Sequence, residues 1–173
     1  ITSLVPLSKE MHIMDFGCGT GLLGFNFVDK VASVTFADTS KGMLEQVHSK
    51  AHKNEIQNIH TLNLSEQEAT STFDLIVSLM TMHHIEDVQA SIQSLVVLLK
   101  PQGILCISDL EAEDGSFHGE KKVPHNGFHS NLVLEYFRNC GLQNESACIG
   151  HVDTKVTDGN VREYPIFIAI GYR

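Results

Sequence analysis

Residues 12–24 constrain the fold more than any other stretch of the chain. An apolar run ending at Phe16 leads directly into the glycine-rich sequence G-C-G-T-G at 17–21, and an apolar segment begins at Leu22. This order predicts a buried strand, a tight turn and the start of a helix, with Thr20 as the helix cap. Glycine reaches backbone angles that other residues cannot adopt, and it lets a ligand contact the main chain. Because a helix N-terminus also offers unpaired N–H groups, the stretch predicts a nucleotide-type binding site.

The glycine spacing distinguishes between two kinds of nucleotide site. The dinucleotide fingerprint is G-x-G-x-x-G, whereas this loop has G-x-G-x-G, with Leu22 where the third fingerprint glycine is expected. Asp15, two residues before the loop, would repel a pyrophosphate, but it suits a cationic ligand or the N–H groups of the loop itself. An NAD(P)-linked oxidoreductase is therefore disfavoured. A strand-to-helix turn that binds no ligand is the second alternative.

Strands and helices alternate along the rest of the chain. Continuously apolar segments indicate buried strands, and apolar residues at helical spacing indicate helices. The predicted strands are 12–17, 31–37, 59–64, 73–80 and 103–110, followed by β-rich stretches near 143–156 and 164–172. The predicted helices are 21–30, 40–53, 87–100 and 132–140. We therefore predict an α/β fold with a doubly wound, mostly parallel, seven-stranded Rossmann-like sheet, in which the first strand is central and the last is antiparallel.

Composition limits the partners and the compartment. The 173 residues are enough for one domain with a substantial core. A net charge of −9 argues against a large nucleic-acid surface, and the longest apolar runs are too short to span a bilayer. The four cysteines lack C-x-x-C spacing and the ten histidines lack H-E-x-x-H spacing. We therefore predict a reducing, cytoplasmic compartment, no metal site, no nucleic acid and no membrane span.

Polar residues lie where the predicted strands end, which is where doubly wound sheets bind their ligands. Asp38 ends the second strand, about 20 residues after the glycine loop, a position from which a carboxylate accepts hydrogen bonds from ribose hydroxyls. The alternative role for Asp38 is the N-cap of the next helix. Met43, one turn into that helix, would either cover an adenine or pack in the core.

Several segments resemble the class I S-adenosylmethionine (SAM) methyltransferases. The sequence D-F-G-C-G-T-G at 15–21 resembles their motif I, and S-L-M-T-M-H-H-I-E-D at 78–87 resembles the stretch after the fourth strand in the ubiquinone and menaquinone biosynthesis type. Similar segments also lie at 98–109 (L-L-K-P-Q-G-I-L-C-I-S-D), 114–118 (D-G-S-F-H) and 125–128 (H-N-G-F). The resemblance covers about residues 12–173 and implies SAM-dependent methyl transfer, with S-adenosylhomocysteine (SAH) as product. Residues 1–11 cannot contain the helices that usually precede motif I, so we expect a single domain, 1–173, that is short at its N-terminus.

The resemblance also implies site residues. The implied cofactor-binding residues are Asp15, Gly17, Cys18, Gly19, Gly21, Asp38, Thr39, Met43, Asn63, Leu64, Ser78 and Leu79. Asn63 stands where the family usually has an aspartate that accepts from the adenine amino group, and its amide oxygen can accept the same bond. His83 and His84 would lie near the departing methyl group, where one could act as a general base or merely bond the backbone. The implied acceptor-side residues are Asp109, Glu111, His118 and His125. They could bind a polar substrate or, since carboxylates and imidazoles suit many divalent ions, a metal, although their spacing indicates no particular ion. The alternative for this segment is a solvated acidic loop.

Two functions compete with methyl transfer. A non-catalytic SAM- or SAH-binding subunit, with a regulatory or partner role, would have the same motif I, and an NAD(P)-linked oxidoreductase would have a similar fold. We expect a small-molecule acceptor, because the chain is acidic and lacks the Asn-Pro-Pro-Tyr type of motif used on the amino groups of DNA bases.

Overall fold

The computed structural model describes residues 1, 3–157 and 159–173 and contains one seven-stranded sheet, in the order β3-β2-β1-β4-β5-β7-β6. The strands are β1 (His12–Phe16), β2 (Ser33–Asp38), β3 (Ile59–Asn63), β4 (Phe73–Leu79), β5 (Leu99–Leu110), β6 (Gln143–Thr157) and β7 (Asn160–Tyr172). β1 is central, with parallel partners β2 and β4, and β7 runs antiparallel to both β5 and β6. The predicted doubly wound sheet with an antiparallel last strand is confirmed.

In the part of the chain that the structure describes, three α-helices cover the sheet. They are α1 (Lys41–Lys53), α2 (Val88–Val97) and α3 (Ser130–Asn139), and each was predicted with small differences at its ends. The hydroxyl of Ser40 accepts from the N–H of Met43 at the start of α1, and the carboxylate of Asp87 accepts from the N–H of Ala90 at the start of α2. Among the described residues, no helix is both long and apolar enough to cross a membrane.

The predicted helix at 21–30 is wrong, because this segment consists of turns around one short 3-10 helix, Gly24–Asn26. The predicted cap is wrong as well. The residue at the N-cap position of the 3-10 helix is Leu23 rather than Thr20, and no side chain caps this helix. The N–H groups of Asn26 and Phe27 donate to carbonyl oxygens three residues back, whereas the N–H of Gly24 donates to the Asp15 carboxylate at 2.8 Å. Two glycines within four residues also lower the helix propensity.

Apolar side chains form a core on each face of the sheet. Neighbouring residues of a strand point to opposite faces, so Ile13 belongs to the core on the α1 side and Met14 to the core beneath α2 and α3. Residues 64–72, between β3 and β4, contain no helix, and the sheet beneath them opens into a cavity of about 630 Å³ lined in part by Phe16, Leu64 and Leu95. The chain thus leaves ligand-sized space at the carboxyl ends of its central strands.

Candidate functional site

The glycine loop, residues 17–21, turns sharply after β1. Gly17 has a φ of +66°, and a Cβ at this position would overlap the side chain of Thr81. The hydroxyl of Thr81 donates to the carbonyl oxygen of Gly17 at 3.1 Å, so the segment after β4 holds the loop from the side. The N–H groups of Gly17 and Cys18 both donate to the carbonyl oxygen of Ala37, at 2.8 and 3.1 Å, which joins the loop to β2. Only glycine satisfies both the backbone angle and the contact at position 17.

Asp15 supports the loop from below. Its side chain is 1% exposed, and its Oδ2 accepts the N–H of Gly24 at 2.8 Å. Burial raises the pKa of Asp15 to about 7; the bond from Gly24 acts in the opposite direction, and the negative charge of Asp38 adds to the increase. Because Asp15 is buried beneath the loop, it shapes the site through the backbone, which is one of the two roles predicted for it.

Asp38 connects the glycine loop to α1. Its Oδ2 accepts the N–H of Gly19 and its Oδ1 accepts the N–H of Ser40, both at 2.8 Å. The N-cap of α1 is Ser40, so the alternative role of Asp38 as the helix cap does not apply. Each carboxylate oxygen can accept more than one hydrogen bond, and Asp38 therefore keeps the capacity to bind a hydroxyl pair.

A cavity of about 570 Å³, here called the glycine-loop cavity, opens at the carboxyl ends of β1, β2 and β4. Its lining residues are Phe16, Gly17, Gly19, Asp38, Thr39, Ser40, Met43, Leu64, Met80, Thr81, His84 and Ile85. Six predicted cofactor-binding residues belong to this lining, together with the predicted catalytic His84. Met43 is 38% exposed there, which favours ligand contact over core packing.

The other predicted cofactor residues lie outside this lining. Ser78 is fully buried, and its hydroxyl donates to the carbonyl oxygen of Phe16 at 3.0 Å, while the amide oxygen of Asn63 accepts the N–H of Ser65 at 3.1 Å. Cys18 is buried, and burial raises the pKa of its thiol. Besides Asp15, the remaining residues of this group are Gly21 and Leu79. Sequence reasoning missed five lining residues: Phe16, Ser40 and Ile85, together with Met80 and Thr81, which form the cavity wall directly after β4.

Met80 adopts an unusual backbone conformation at this wall. Its φ is +52°, a left-handed value that is uncommon outside glycine. The N–H of Met80 donates to the carbonyl oxygen of Ser108 at 2.8 Å, so the turn is tied to β5 as it leaves the sheet. The left-handed residue redirects the chain, and His83 and His84 follow in the short 3-10 helix Met82–His84. Sequence pattern gives no signal for such a turn at a methionine.

His83 forms a buried pair with Asp109. The Nδ1 of His83 lies 2.6 Å from Oδ1 of Asp109, and the two side chains are 1% and 0% exposed. Asp109 Oδ2 also accepts the N–H of Met82 at 2.8 Å, and its Oδ1 accepts the N–H of Leu110 at 2.7 Å. A carboxylate at Nδ1 fixes the orientation of the ring, and Nε2 of His83 is buried with no hydrogen-bond partner among the described residues. Asp109 was predicted on the acceptor side; it lies instead behind His83.

The histidine cluster consists of His83, His84 and His118. The ring centroids of His83 and His84 are 4.1 Å apart, and His118 lies 4.9 Å from the first and 5.5 Å from the second. Burial and the neighbouring His83 lower the pKa of His84. Burial, the other two imidazoles and Lys155 likewise lower the pKa of His118, while Glu113 acts in the opposite direction. Near neutral pH these two imidazoles are therefore uncharged and carry a lone pair.

Two predicted acceptor-side residues, His125 and Glu111, make hydrogen bonds within the protein. The Nε2 of His125 lies 3.1 Å from the carbonyl oxygen of Glu86, and the backbone N–H of His125 donates to the carbonyl oxygen of His83 at 3.2 Å. Glu111 accepts the N–H of Ser130, at the start of α3, at 3.4 Å. Of the four predicted residues, only His118 has its side chain in the histidine cluster. The pair of His83 with Asp109 could have been predicted, because β4 and β5 are adjacent and parallel and each residue follows or ends one of them.

Comparison with known proteins agrees with this geometry. The family model described as a methyltransferase domain matches residues 14–105. The chain is 30% identical over 153 residues to an uncharacterised methyltransferase of Schizosaccharomyces pombe, covering 78% of this chain and 54% of the relative. It is 32% identical over 103 residues to the ubiquinone biosynthesis O-methyltransferase of Rickettsia typhi, covering 59% of this chain and 42% of the relative. The chain thus spans about half the length of these relatives.

A solved structure supports the fold. The YcgJ protein of Bacillus subtilis superposes with a TM-score of 0.78 at 16% identity, covering 99% of this chain and 95% of that protein. The family match extends from β1 into β5 and includes the glycine loop, Asp38 and the segment after β4. It therefore favours SAM over NAD(P) as the ligand of the loop. The chain belongs to the methyltransferase-domain family, the class I SAM-dependent methyltransferases, whose cofactor is SAM.

Proposed function

We propose that the chain binds SAM in the glycine-loop cavity and transfers the methyl group to a small-molecule acceptor that enters beside the histidine cluster. One observation carries the proposal: a single cavity is lined by the glycine loop and Asp38 on one side and by His84 on the other. Its volume of about 570 Å³ lies within the range of about 300–1,000 Å³ typical of small-ligand sites. Cofactor and acceptor would thus share one space.

The lining offers a suitable partner for each part of SAM. The Asp38 carboxylate would accept from the ribose hydroxyls, and the exposed side chain of Met43 would cover the adenine. Because Gly17 and Gly19 have no side chains, their backbone would allow close approach of the methionine portion of SAM. Bound SAM supplies a methyl group on a positively charged sulfur. The protein's contribution would be to hold this group and the acceptor in line, since positioning alone supplies much of the acceleration in such reactions.

Two features support a small organic acceptor. The chain has a net charge of −9, which is unfavourable for binding nucleic acid. The cavity of about 630 Å³ described above shares Phe16, Thr39, Leu64 and Ile85 with the glycine-loop cavity, so the two spaces adjoin. The similarity to a ubiquinone biosynthesis O-methyltransferase is also consistent with a small organic acceptor.

We also propose a cytoplasmic location, because of the state of the cysteines. All four cysteines are unpaired thiols, and three of them are buried: Cys18, Cys106 and Cys140. Burial raises the pKa of Cys106 to about 12, so this thiol stays protonated and unreactive. Unpaired buried thiols suit a reducing compartment. Fractionation of the source cells with an antibody against the chain would test the location.

Calorimetry with SAH tests the cofactor site. We expect wild-type protein to bind SAH, and we expect Asp38→Ala to weaken binding by about 1–3 kcal/mol, the range for a hydrogen bond lost from a polar partner. Asp29→Ala removes an exposed carboxylate distant from the lining and serves as the matched control. Equal SAH affinity in Asp38→Ala and wild type would contradict the proposed role of Asp38.

Turnover separates the enzyme from a non-catalytic SAM-binding subunit. Wild-type protein and SAM carrying a labelled methyl group would be incubated with a panel of small phenols, thiols and amines. Transfer of label to at least one of these compounds is expected, and His84→Ala should reduce the transfer while leaving SAH affinity nearly unchanged. A protein that binds SAH tightly but transfers no label to any acceptor class would favour the binding subunit.

A further inference from the structure

The histidine cluster presents three nitrogen atoms to one point. Each of His83, His84 and His118 offers one ring nitrogen, and the three atoms all lie within 4.8 Å of one another. The Nε2 atoms of His83 and His118 are buried, and neither has a hydrogen-bond partner among the described residues. An unpaired buried polar atom is unfavourable, and two of them on rings whose centroids are 4.9 Å apart call for a shared ligand.

The structure also fixes the direction of the most buried ligand. Asp109 holds Nδ1 of His83 at 2.6 Å and is itself held by backbone N–H groups. A histidine that binds a metal commonly donates its other ring N–H to a carboxylate, which sets the tautomer and the ring orientation. Asp109 makes this contact, which leaves Nε2 of His83 as the unpaired ring nitrogen, and His83 is 1% exposed.

We propose that His83, His84 and His118 bind one divalent transition-metal ion of the zinc type. Imidazole nitrogen suits zinc, copper, iron and nickel ions, whereas magnesium and calcium prefer oxygen ligands. Three protein ligands leave a fourth tetrahedral position open, as in catalytic zinc sites. The H-E-x-x-H spacing does not indicate this site, because the three ligands come from the turn after β4 and from the distant loop 111–129.

Binding would require the three imidazoles to move closer together. Nitrogen atoms around a tetrahedral zinc ion lie roughly 3.3 Å apart, given bonds of about 2.0–2.1 Å. The present separations reach 4.8 Å, so at least one ring must approach. His84 is exposed and His118 lies in a loop, so both can rotate without disturbing the core, whereas His83 is fixed by Asp109.

The surrounding charges favour a cation on balance. Asp109 lies directly behind His83, and Glu113 faces His118 with a buried Oε1 that has no hydrogen-bond partner among the described residues. The positive charge of Lys155 would repel a cation, but its Nζ is turned toward Phe117. It lies 3.2 Å from the centre of the Phe117 ring and donates to the carbonyl oxygen of Phe117 at 3.1 Å. The carboxylates of Asp109 and Glu113 would attract a cation, and the one ammonium group that would repel it, that of Lys155, already has partners.

The position of His84 gives the ion a role, which rests on the proposed function. His84 lines the glycine-loop cavity, so the open coordination position would face the space proposed for the acceptor. A hydroxyl, thiol or amine bound there would lose its proton to solvent more easily, because a bound cation lowers the pKa of its ligand. Metal binding and the general-base role exclude each other, since one lone pair cannot serve both.

Metal titration of untagged protein, first treated with a chelator and kept free of SAM and SAH, tests the site. Zinc binding by calorimetry should show one ion per chain, and cobalt should give the visible absorption of a tetrahedral, nitrogen-rich site. His84→Ala and His118→Ala should each weaken zinc binding at least about 100-fold, and Asp109→Asn should weaken it about 10–100-fold, the usual effect of a partner behind a ligand.

His48→Ala is the matched control. His48 lies on α1 and its Nε2 is 2.8 Å from the Thr61 hydroxyl oxygen, so this change removes a histidine outside the cluster and should leave zinc affinity unchanged. Folded wild-type protein that binds no stoichiometric metal would overturn the proposal, as would unchanged zinc affinity in both His84→Ala and His118→Ala. SAH binding without metal binding contradicts the metal site alone, and metal binding without SAH binding contradicts the proposed function alone.

Discussion

Asp15 shows how one residue both builds the site and opposes stability. Its carboxylate accepts the N–H of Gly24 at 2.8 Å, beside the turns and the short 3-10 helix Gly24–Asn26 that residues 21–30 form. Apolar residues after a glycine turn predict an α-helix there, and sequence periodicity does not distinguish a helix from such a series of turns. Burial of the carboxylate raises the pKa of Asp15 to about 7.

The raised pKa predicts a pH dependence of stability. The pKa of Asp15 in the folded state lies above its unfolded value of about 3.9. The contribution of this carboxyl group to the free energy of unfolding is therefore complete below pH 4 and is lost as pH rises through 7. Each pKa unit corresponds to about 1.4 kcal/mol. Urea unfolding should therefore show that wild type loses stability relative to Asp15→Asn between pH 4 and 8. The change Asp29→Asn, at an exposed position, should show no such difference. If the free energies of unfolding of wild type and Asp15→Asn changed in parallel with pH, the raised pKa of Asp15 would be contradicted.

Gly17 allows a second prediction at the residue scale. Gly17→Ala places a methyl group against Thr81 at a φ of +66°, whereas Gly141→Ala has a similar φ of +86° but no atom within 4 Å of the added Cβ. The control should lose only the backbone cost of about 1–2 kcal/mol. Gly17→Ala should lose more and should also weaken SAH binding. Chemical unfolding and SAH calorimetry of both variants measure the difference, and equal losses would show that Thr81 yields to the methyl group.

At the scale of elements, strand periodicity was the most reliable signal. Continuously apolar segments located every parallel strand, because both faces of the sheet are covered. β5 begins at Leu99 rather than at 103, so the strand includes the turn-like sequence around Pro101. Its register with β4 shifts between Phe73 and Leu75, where the strand accommodates this sequence. The contact of His118 with His83 and His84 could not be predicted from sequence, because the loop that carries His118 has no periodic pattern.

The helix caps give a prediction at this scale. Asp87 accepts the N–H of Ala90 at 2.9 Å, and the Ser40 hydroxyl accepts that of Met43 at a longer 3.4 Å. Asp87→Ala should therefore destabilise the protein by about 1 kcal/mol, within the range measured for lost caps, and Ser40→Ala should have a smaller effect. Thermal unfolding of the two variants tests the order. A larger loss for Ser40→Ala would indicate that its role at the cavity exceeds its role as a cap.

At the scale of the whole molecule, the glycine-loop cavity joins segments far apart in sequence. Its lining comes from the end of β1, the junction of β2 with α1 and the turn after β4. A ligand that contacts all three binds only the folded chain, so its binding free energy adds to the free energy of unfolding. Thermal unfolding therefore reports on occupation of the site without knowledge of the acceptor.

SAH at 100 times its dissociation constant should stabilise the fold by about 2.7 kcal/mol. For a chain of this size, 1 kcal/mol corresponds to about 2–4 °C, so the midpoint should rise by roughly 5–11 °C. At the same SAH concentration the increase should be much smaller in Asp38→Ala, because the ribose partner is lost, and unchanged in Asp29→Ala. NAD at the same concentration should give no increase. A rise with NAD equal to that with SAH would indicate that the loop recognises the shared adenosine and not the methionine portion, and the wall formed by Met80 and Thr81 would then have no part in cofactor selection.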